Sequence, residues 1–145
     1  MSRDKAAVQT VLDKVRNDGR NSLTAPEGKT VCEAYGIPTP KEGLATTAAE
    51  AGKIAENLGF PVVLKVVSPD ILHKPDAGGV LTGVAGVKDA EQGFESIMKS
   101  ARAHQADAKI VGIQVQRMLP AAQEVIIGAV IALAVVIDTW RRRIR

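Results

Sequence analysis

Two side chains suited to phosphate chemistry lie close together in the middle of the chain, Lys65 and His73. Lys65 interrupts an apolar run, residues 61–67, that is short, rich in valine and typical of a buried strand. A lysine there either turns its ammonium to the solvent face or needs an anionic partner, because an unpaired buried charge is costly. A phosphate group would be such a partner, and the strand pattern leaves both alternatives open.

The polar loop after this strand ends in a glycine pair, Gly78 and Gly79. Glycine allows a positive φ and a close approach, so backbone N–H groups there can reach phosphate oxygens while a lysine neutralises their charge. The loop does not carry the Gly-Lys-Ser/Thr of a P-loop. The pair therefore indicates either a phosphate-binding loop or a plain turn between two strands.

His73 lies in the same loop, between Leu72 and Lys74. An imidazole nitrogen is nucleophilic near neutral pH and can carry a phosphoryl group. The alternative is that His73 only caps or hydrogen-bonds its loop. The second histidine, His104, lies at the end of a predicted surface helix and is interpreted as solvated.

These residues and several others form a pattern that resembles a known family. The chain from Leu23 to Gly128 resembles the ATP-grasp portion of the NDP-forming acyl-CoA synthetases, such as the ADP-forming acetate–CoA ligases. The His-Lys-x-Asp-Ala-Gly-Gly-Val segment is specific to them, whereas the lysine strand is common to ATP-grasp proteins. The resemblance is carried by residues 35–38 and 42–43, the Lys65 strand, residues 68–74 and 76–80, Val115-Gln116, and residues 124–128.

The resemblance implies roles for individual residues. His73 would relay phosphate as phosphohistidine between a CoA-side active site and the nucleotide, ATP or ADP. The residues expected to bind that nucleotide are Lys65, Gly78, Gly79, Gln116, Met118 and Glu124. Within this set, Gln116 and Met118 would line the adenine pocket, and Glu124 would hold the ribose or act on the cation side.

The sequence departs from the family pattern at two positions. Pro75 stands where a small hydroxyl residue is more usual, which stiffens the loop and removes a backbone donor. Arg117 stands where an acidic residue is usual. The first departure bears on the mobility of the His73 loop, and the second on the nucleotide pocket.

The implied reaction is acid, CoA and ATP giving acyl-CoA, ADP and phosphate. The family's second lobe, which carries the Mg²⁺ ligands, and its CoA-binding domains have no counterpart in the sequence, so no metal ligand is assigned. We therefore expect at most weak nucleotide binding unless a CoA-binding subunit or domain supplies the rest. The alternative is a non-enzymatic interaction module, or an inactive fragment, with a membrane-associating tail.

Charge and composition argue against a nucleic-acid partner. The net charge of +3 comes from arginines at 141, 142, 143 and 145, because the remaining 15 basic residues face 16 acidic ones. Only four aromatic residues are present, too few for a base-stacking surface. The single cysteine, Cys32, has no disulfide partner, so we expect a reducing, cytoplasmic setting.

The order of the predicted elements favours an α/β fold. We expect a small mixed sheet covered by helices on one face, preceded by a helical segment. The predicted domains are an N-terminal helical segment, 1–36, an ATP-grasp first-lobe-like domain, 37–128, and a divergent tail, 129–145. The predicted helices are 4–15, 26–35, 48–58 and 89–103, and the predicted strands are 43–45, 61–67, 109–116 and one after Gly79.

The tail differs in character from the rest of the chain. Residues 125–137 form 13 consecutive apolar or glycine positions, followed by Trp140 and a cluster of arginines. This run is shorter than the roughly 18–20 residues that cross a bilayer, so a buried strand or helix is favoured, with an interfacial membrane anchor as the alternative. The abrupt change predicts a truncated or fused reading frame.

Overall fold

The computed structural model describes residues 4–120, and within them the chain forms four helices and four strands. The elements are α1 (Lys5–Asn17), α2 (Ala25–Ala34), β1 (Glu42–Ala45), α3 (Ala48–Leu58), β2 (Val62–Val67), β3 (Val80–Val84), α4 (Val87–His104) and β4 (Gly112–Arg117). The predicted elements are all present. β4 begins at Gly112 rather than at Lys109, whose backbone N–H is bound by the Asp70 carboxylate at 2.7 Å.

The four strands form one sheet in the order β1-β4-β2-β3, and each neighbouring pair is antiparallel. The predicted α/β class is confirmed, but the pairing among the described strands is not mixed. The connection through α3 joins β1 to β2, and the connection through α4 joins β3 to β4. The two strands of each pair run in the same direction but are not neighbours, because an antiparallel strand lies between them. β4 lies between β1 and β2, and β2 lies between β3 and β4.

Helices α3 and α4 cover one face of the sheet and form the core with it. Leu64 and Val66 of β2 and Ile113 of β4 are completely buried on this face. Helix α4 approaches closely at Gly93, where a Cβ atom would lie 2.7 Å from Cδ1 of Leu64. Because successive side chains of a strand point to opposite faces, Lys65 of β2 lies on the other face of the sheet. We call this face, which also carries Gln114 and Gln116 of β4, the open face.

Helices α1 and α2 form a hairpin at the N-terminus of the chain. The backbone N–H of Asp4, before α1, donates to the carbonyl of Ala34, the last residue of α2. In the connection, Arg20 donates to both carboxylate oxygens of Glu27, at 3.0 and 2.8 Å. Glu27 also accepts from the N–H of Thr24, the N-cap residue of α2, at 2.8 Å. The mostly buried Arg20–Glu27 pair therefore fixes the turn between the helices.

The hairpin lies beside one end of the open face. A cleft of about 220 Å³ separates them, lined by Arg20 and Glu27 on the hairpin side and by Leu44, Val67 and Val111 on the sheet side. None of the predicted site residues lines this cleft. The part of the open face around Lys65 is thus a different surface.

The apolar run at residues 125–137, predicted to be a buried strand or helix with a membrane anchor as the alternative, lies outside the described residues. Within 4–120, none of the helices combines the length and the apolar character needed to cross a bilayer.

Candidate functional site

The candidate site is built around Lys65, which lies on the open face. Its side chain is partly buried, and Nζ donates a 2.6 Å hydrogen bond to Oε1 of Gln116 on β4. In the strand pairing Lys65 lies directly opposite Gln114, so the bond to Gln116 is diagonal. The structure therefore brings together two predicted nucleotide-binding residues, Lys65 and Gln116, from strands that are far apart in sequence.

Gln114 occupies the same face and is nearly inaccessible, with 4% of its surface exposed. Its side-chain oxygen Oε1 is buried and has no hydrogen-bond partner within residues 4–120. A buried acceptor without a donor costs about 1–3 kcal/mol. Gln114 was not among the predicted site residues, although period-two counting back from Gln116 places it on the face of Lys65.

The loop between β2 and β3 is anchored at both ends. Oγ of Ser68 accepts from the N–H groups of Asp70 and Ile71, at 3.1 and 3.3 Å. Ile71 and Ala77 are both buried in the core, at 3% and 4% exposure. The five residues between these two anchors therefore form the part of the loop that faces outward.

Lys74 is the exception within this outward segment. It is only partly exposed, whereas its neighbours His73 and Pro75 are exposed. Burial lowers the pKa of the Lys74 ammonium, and repulsion from the Lys65 ammonium lowers it further. Within residues 4–120 neither Lys74 nor Lys65 forms an ion pair with a carboxylate. Lys74 was not among the residues predicted to bind the nucleotide.

The glycine pair closes the loop against the sheet. Gly78 has a φ of +60°, and a Cβ at Gly79 would lie 2.4 Å from Cγ1 of Val66. The N–H of Gly79 donates to the carbonyl of Lys74 at 2.7 Å, and that of Gly78 to the carbonyl of Pro75 at 3.0 Å. The close approach predicted for this pair is thus made to the protein itself. Phosphate binding by these N–H groups stays a prediction.

His73 lies on the outer part of the loop, next to Leu72, which is 61% exposed. Its imidazole makes no side-chain hydrogen bond with any residue in the described range 4–120, in contrast to the alternative in which it only holds the loop together. A role of His73 in phosphate transfer remains a prediction.

The predicted adenine-side residues lie at the end of β4. Gln116 faces Lys65, and Met118, just beyond the strand, is 41% exposed. The N–H of Met118 donates to the carbonyl of Pro61 at 3.1 Å, and the N–H of Arg117 to that of Lys41 at 3.0 Å. These bonds fix the backbone where the chain leaves the sheet. Glu124, the remaining predicted residue, lies outside the described residues.

The described residues do not fit a metal site. Among residues 4–120 there is no group of three or more histidine, cysteine, aspartate or glutamate side chains that could hold a metal ion. On the open face the ammonium group of Lys65 attracts anions and repels Mg²⁺. The site therefore suits phosphate groups rather than a divalent cation.

A family model for the ATP-grasp domain matches residues 14–132. The chain belongs to the ATP-grasp family. This confirms the resemblance seen in the sequence, and the covered range includes every residue predicted for the site.

Curated relatives of this ATP-grasp chain are ADP-forming CoA ligases. It is 43% identical over 129 residues to the 4-hydroxybutyrate–CoA ligase [ADP-forming] of Nitrosopumilus maritimus, covering 87% of this chain and 18% of that protein. It is 39% identical over 125 residues to the beta subunit of acetate–CoA ligase [ADP-forming] I of Pyrococcus furiosus, covering 86% of this chain and 53% of that subunit. The chain thus spans at most about half the length of these relatives.

A solved structure agrees with these relatives. The Candidatus Korarchaeum cryptofilum dinucleotide-forming acetyl-coenzyme A synthetase 1, in complex with coenzyme A and Ca-AMPCP, matches with a TM-score of 0.75 and 35% identity, over 79% of this chain and 50% of that one. Another structure of that enzyme, with coenzyme A, acetyl-coenzyme A and a phosphorylated phosphohistidine segment, matches with a TM-score of 0.69 and 32% identity over 79% of this chain and 49% of that one. Both likenesses support the ATP-grasp fold.

Proposed function

We propose that this chain is the ATP-binding part of an ADP-forming acyl-CoA synthetase, which converts acid, CoA and ATP into acyl-CoA, ADP and phosphate. The observation that carries the proposal is the pairing of Lys65 with Gln116 on the open face. An amide oxygen holds the ammonium without neutralising it, so its charge stays available to a phosphate. Membership of the ATP-grasp family and the ADP-forming ligase relatives support the same nucleotide chemistry.

Within this proposal, Lys65 binds a phosphate of ATP, and Gln116 and Met118 contact the adenine side. Gly78 and Gly79 bind the phosphates only if the loop opens, since their N–H groups now donate to carbonyls of the same loop. Glu124 holds the ribose or acts on the cation side. The domain division proposed with these roles keeps 1–36 as the helical segment and 37–128 as the nucleotide-binding unit.

His73 is the proposed phosphate carrier. One of its imidazole nitrogens attacks the γ-phosphorus of ATP, the bond from that phosphorus to the bridging oxygen breaks, and ADP leaves with the electron pair. The carboxylate oxygen of the acid then attacks that phosphorus in the CoA-side active site, and the N–P bond breaks and frees the histidine. The CoA thiol displaces phosphate from the resulting acyl phosphate to give acyl-CoA. The exposure of His73 and the phosphohistidine segment of the Korarchaeum enzyme support this assignment. The CoA-binding partner is proposed to be another subunit or domain of the same enzyme, as the beta-subunit relative suggests.

The Mg²⁺ that the family uses with ATP would not be held by residues 4–120, which present no suitable cluster. We therefore assign no step to the metal through these residues. Their contribution is the binding of phosphate oxygens by ammonium groups and the placement of the imidazole.

The test uses ATP labelled in its γ-phosphate, with Mg²⁺ and a complementary CoA-side subunit. The label is expected on wild-type chain and absent from His73→Ala, whereas the exposed-helix variant His104→Ala keeps it. Label on His73→Ala would refute the role of His73. Isothermal titration with ATP and Mg²⁺ tests whether the chain alone binds the nucleotide, and how strongly. Full-strength binding or turnover by the chain alone would show that it is not an incomplete part.

A further inference from the structure

The strongest feature that the proposed function leaves unused is the carboxylate of Asp70, at the start of the loop that carries His73. Its Oδ2 accepts a 2.7 Å hydrogen bond from the backbone N–H of Lys109, which lies in the connection between α4 and β4. Among residues 4–120, only two side-chain hydrogen bonds join residues more than 10 positions apart, and the other is the bond from Lys65 to Gln116. Both bonds connect the β2 side of the site with the β4 side.

The carboxylate takes the place of a backbone acceptor beyond the end of the sheet. The β2–β4 ladder ends where Val67 pairs with Gly112, and the N–H of Val111 still donates to the carbonyl of Val67 at 2.8 Å. The N–H of Lys109 donates instead to the Asp70 side chain. This side chain therefore extends the contact between the two segments past the point where β2 turns into the loop.

Asp70 is itself held by the buried corner at Ser68. Oγ of Ser68, which is 4% exposed, accepts from the N–H of Asp70 at 3.1 Å and from that of Ile71 at 3.3 Å. The side chain of Ile71 lies in the core and fixes the position of the chain. One anchor leaves the chain free to rotate about the dihedral angles beside it, whereas a second anchor on a different segment also fixes its direction. The outward residues that follow therefore leave the core in a defined direction.

The Asp70–Lys109 bond is suited to directing the loop rather than to holding the fold together. Both residues are exposed, so water competes for both groups and the bond adds little to the stability of the whole domain. Its acceptor is charged, which favours a short and well-directed hydrogen bond. Because His73 follows closely after Asp70 in sequence, a change of direction at Asp70 displaces the backbone that carries the imidazole.

We propose that Asp70 is a positioning residue for phosphate transfer, whose carboxylate ties the His73 loop to the segment before β4 and so places the imidazole relative to the nucleotide. The proposal deepens the proposed function, and rests on it only for the statement that His73 receives phosphate. β4 also carries Gln116, the partner of Lys65. The loop and the nucleotide-binding face are thus both fixed to the same strand and its approach.

The first experiment measures the loop of the full chain without nucleotide. Asp70→Ala is compared with wild type, with Asp70→Asn, whose amide oxygen can still accept the N–H, and with Asp107→Ala, an exposed aspartate in the same connection. Because a hydrogen bond to a charged acceptor is lost, Asp70→Ala should raise the hydrogen-exchange rate of the Lys109 amide roughly tenfold. It should also lower the backbone NMR order parameters of residues 72–74. Asp70→Asn should keep most of the protection, and Asp107→Ala should behave as wild type.

The second experiment measures transfer to His73, with γ-labelled ATP, Mg²⁺ and the CoA-side subunit. At saturating ATP, Asp70→Ala should take up the label roughly tenfold more slowly or worse, because a displaced reacting group lowers the rate of the chemical step. Its ATP affinity in isothermal titration should be unchanged, whereas a loss of the fold would lower affinity and rate together. Asp70→Asn should recover most of the labelling rate.

The two experiments separate this inference from the proposed function. Unchanged exchange at Lys109 and unchanged order parameters in Asp70→Ala would overturn the inference, and so would an unchanged labelling rate at saturating ATP. Absence of label from the wild-type chain would instead contradict the role of His73, and the exchange rates and order parameters would still decide whether Asp70 directs the loop. Thermal unfolding of Asp70→Ala, expected close to that of wild type, checks that the variant is folded.

Discussion

Nζ of Lys65 donates to Oε1 of Gln116 at 2.6 Å, although Gln114 is the residue directly opposite it in the sheet. The ammonium is therefore held by an uncharged group two positions along the neighbouring strand. A carboxylate at that position would form an ion pair and cancel the charge that a phosphate needs. The choice of an amide partner is what makes Lys65 suited to anion binding.

Gln116→Glu tests this arrangement. The new carboxylate is expected to pair with Lys65 and to reduce ATP affinity by roughly tenfold or more, because the phosphate then competes with an internal anion. The folded state should be no less stable than wild type. NMR-detected titration with ATP measures the affinity, and Gln92→Glu on the exposed side of α4 is the control. An unchanged ATP affinity in Gln116→Glu would contradict the role of Lys65.

Gly79, at the end of the loop between β2 and β3, packs so closely on β2 that its substitution should change the stability of the fold. Gly79→Ala places a Cβ 2.4 Å from Cγ1 of Val66 and should destabilise the fold by about 1–3 kcal/mol. Gly28→Ala is the matched control, because nothing lies within 4 Å of its Cβ in α2, and alanine there should stabilise by about 0.5–1 kcal/mol. Urea unfolding measures both. A neutral Gly79→Ala would mean that the loop does not pack on β2 as described.

Gln114→Met removes the buried oxygen that has no partner in residues 4–120, while keeping the shape of the side chain. We expect the free energy of unfolding to rise by about 1 kcal/mol, since the desolvation of an unpaired acceptor is avoided. Urea unfolding with an unchanged m-value is the measurement, and Gln92→Met serves as the exposed control. A clear loss of stability would instead indicate that the oxygen has a partner, such as ordered water.

The helix hairpin should respond to pH through Glu27. Hydrogen bonds from Arg20 lower the pKa of Glu27 from 4.5 to about 2. A carboxyl whose folded pKa is depressed stabilises the fold fully above 4.5, and this contribution is lost progressively as the pH falls from 4.5 through about 2. Thermal unfolding of wild type should thus lose stability in that window.

Glu27→Gln isolates this contribution. The variant should be less stable than wild type at pH 7, and the difference should shrink as the pH falls towards 2. Asp107→Asn, an exposed residue outside the hairpin, is the control and should show little difference at either end. A stability difference independent of pH would indicate lost packing rather than a lost ion pair.

The helices and strands could be predicted because their signals are local. Helix α3 begins and ends as predicted, since Thr47 accepts from the N–H of Glu50 at its start and Gly59, at φ +80°, ends it. The strand carrying Lys65 was recognised from its valines and its length. The ATP-grasp resemblance likewise depended on short segments that are contiguous in sequence.

The site's internal contacts could not be predicted from local signals. Lys65 and Gln116 are 51 residues apart, and their meeting depends on the insertion of β4 between β1 and β2. Gln114 shares the face of Gln116 by period-two alternation, but that counting does not show that its side-chain oxygen is buried without a partner in residues 4–120.

The burial of Ile71 and Ala77 limits how far a phosphorylated imidazole could travel. With Ile71 fixed, the Cα atom of His73 is two residues away and can reach at most about 7 Å from it. Delivery to a more distant acceptor requires Ile71 to leave the core, which exposes a side chain whose burial contributes about 1.5–3 kcal/mol. The two anchors thus act as a tether, and a long-range swing of the histidine would have to be driven by something that compensates their release.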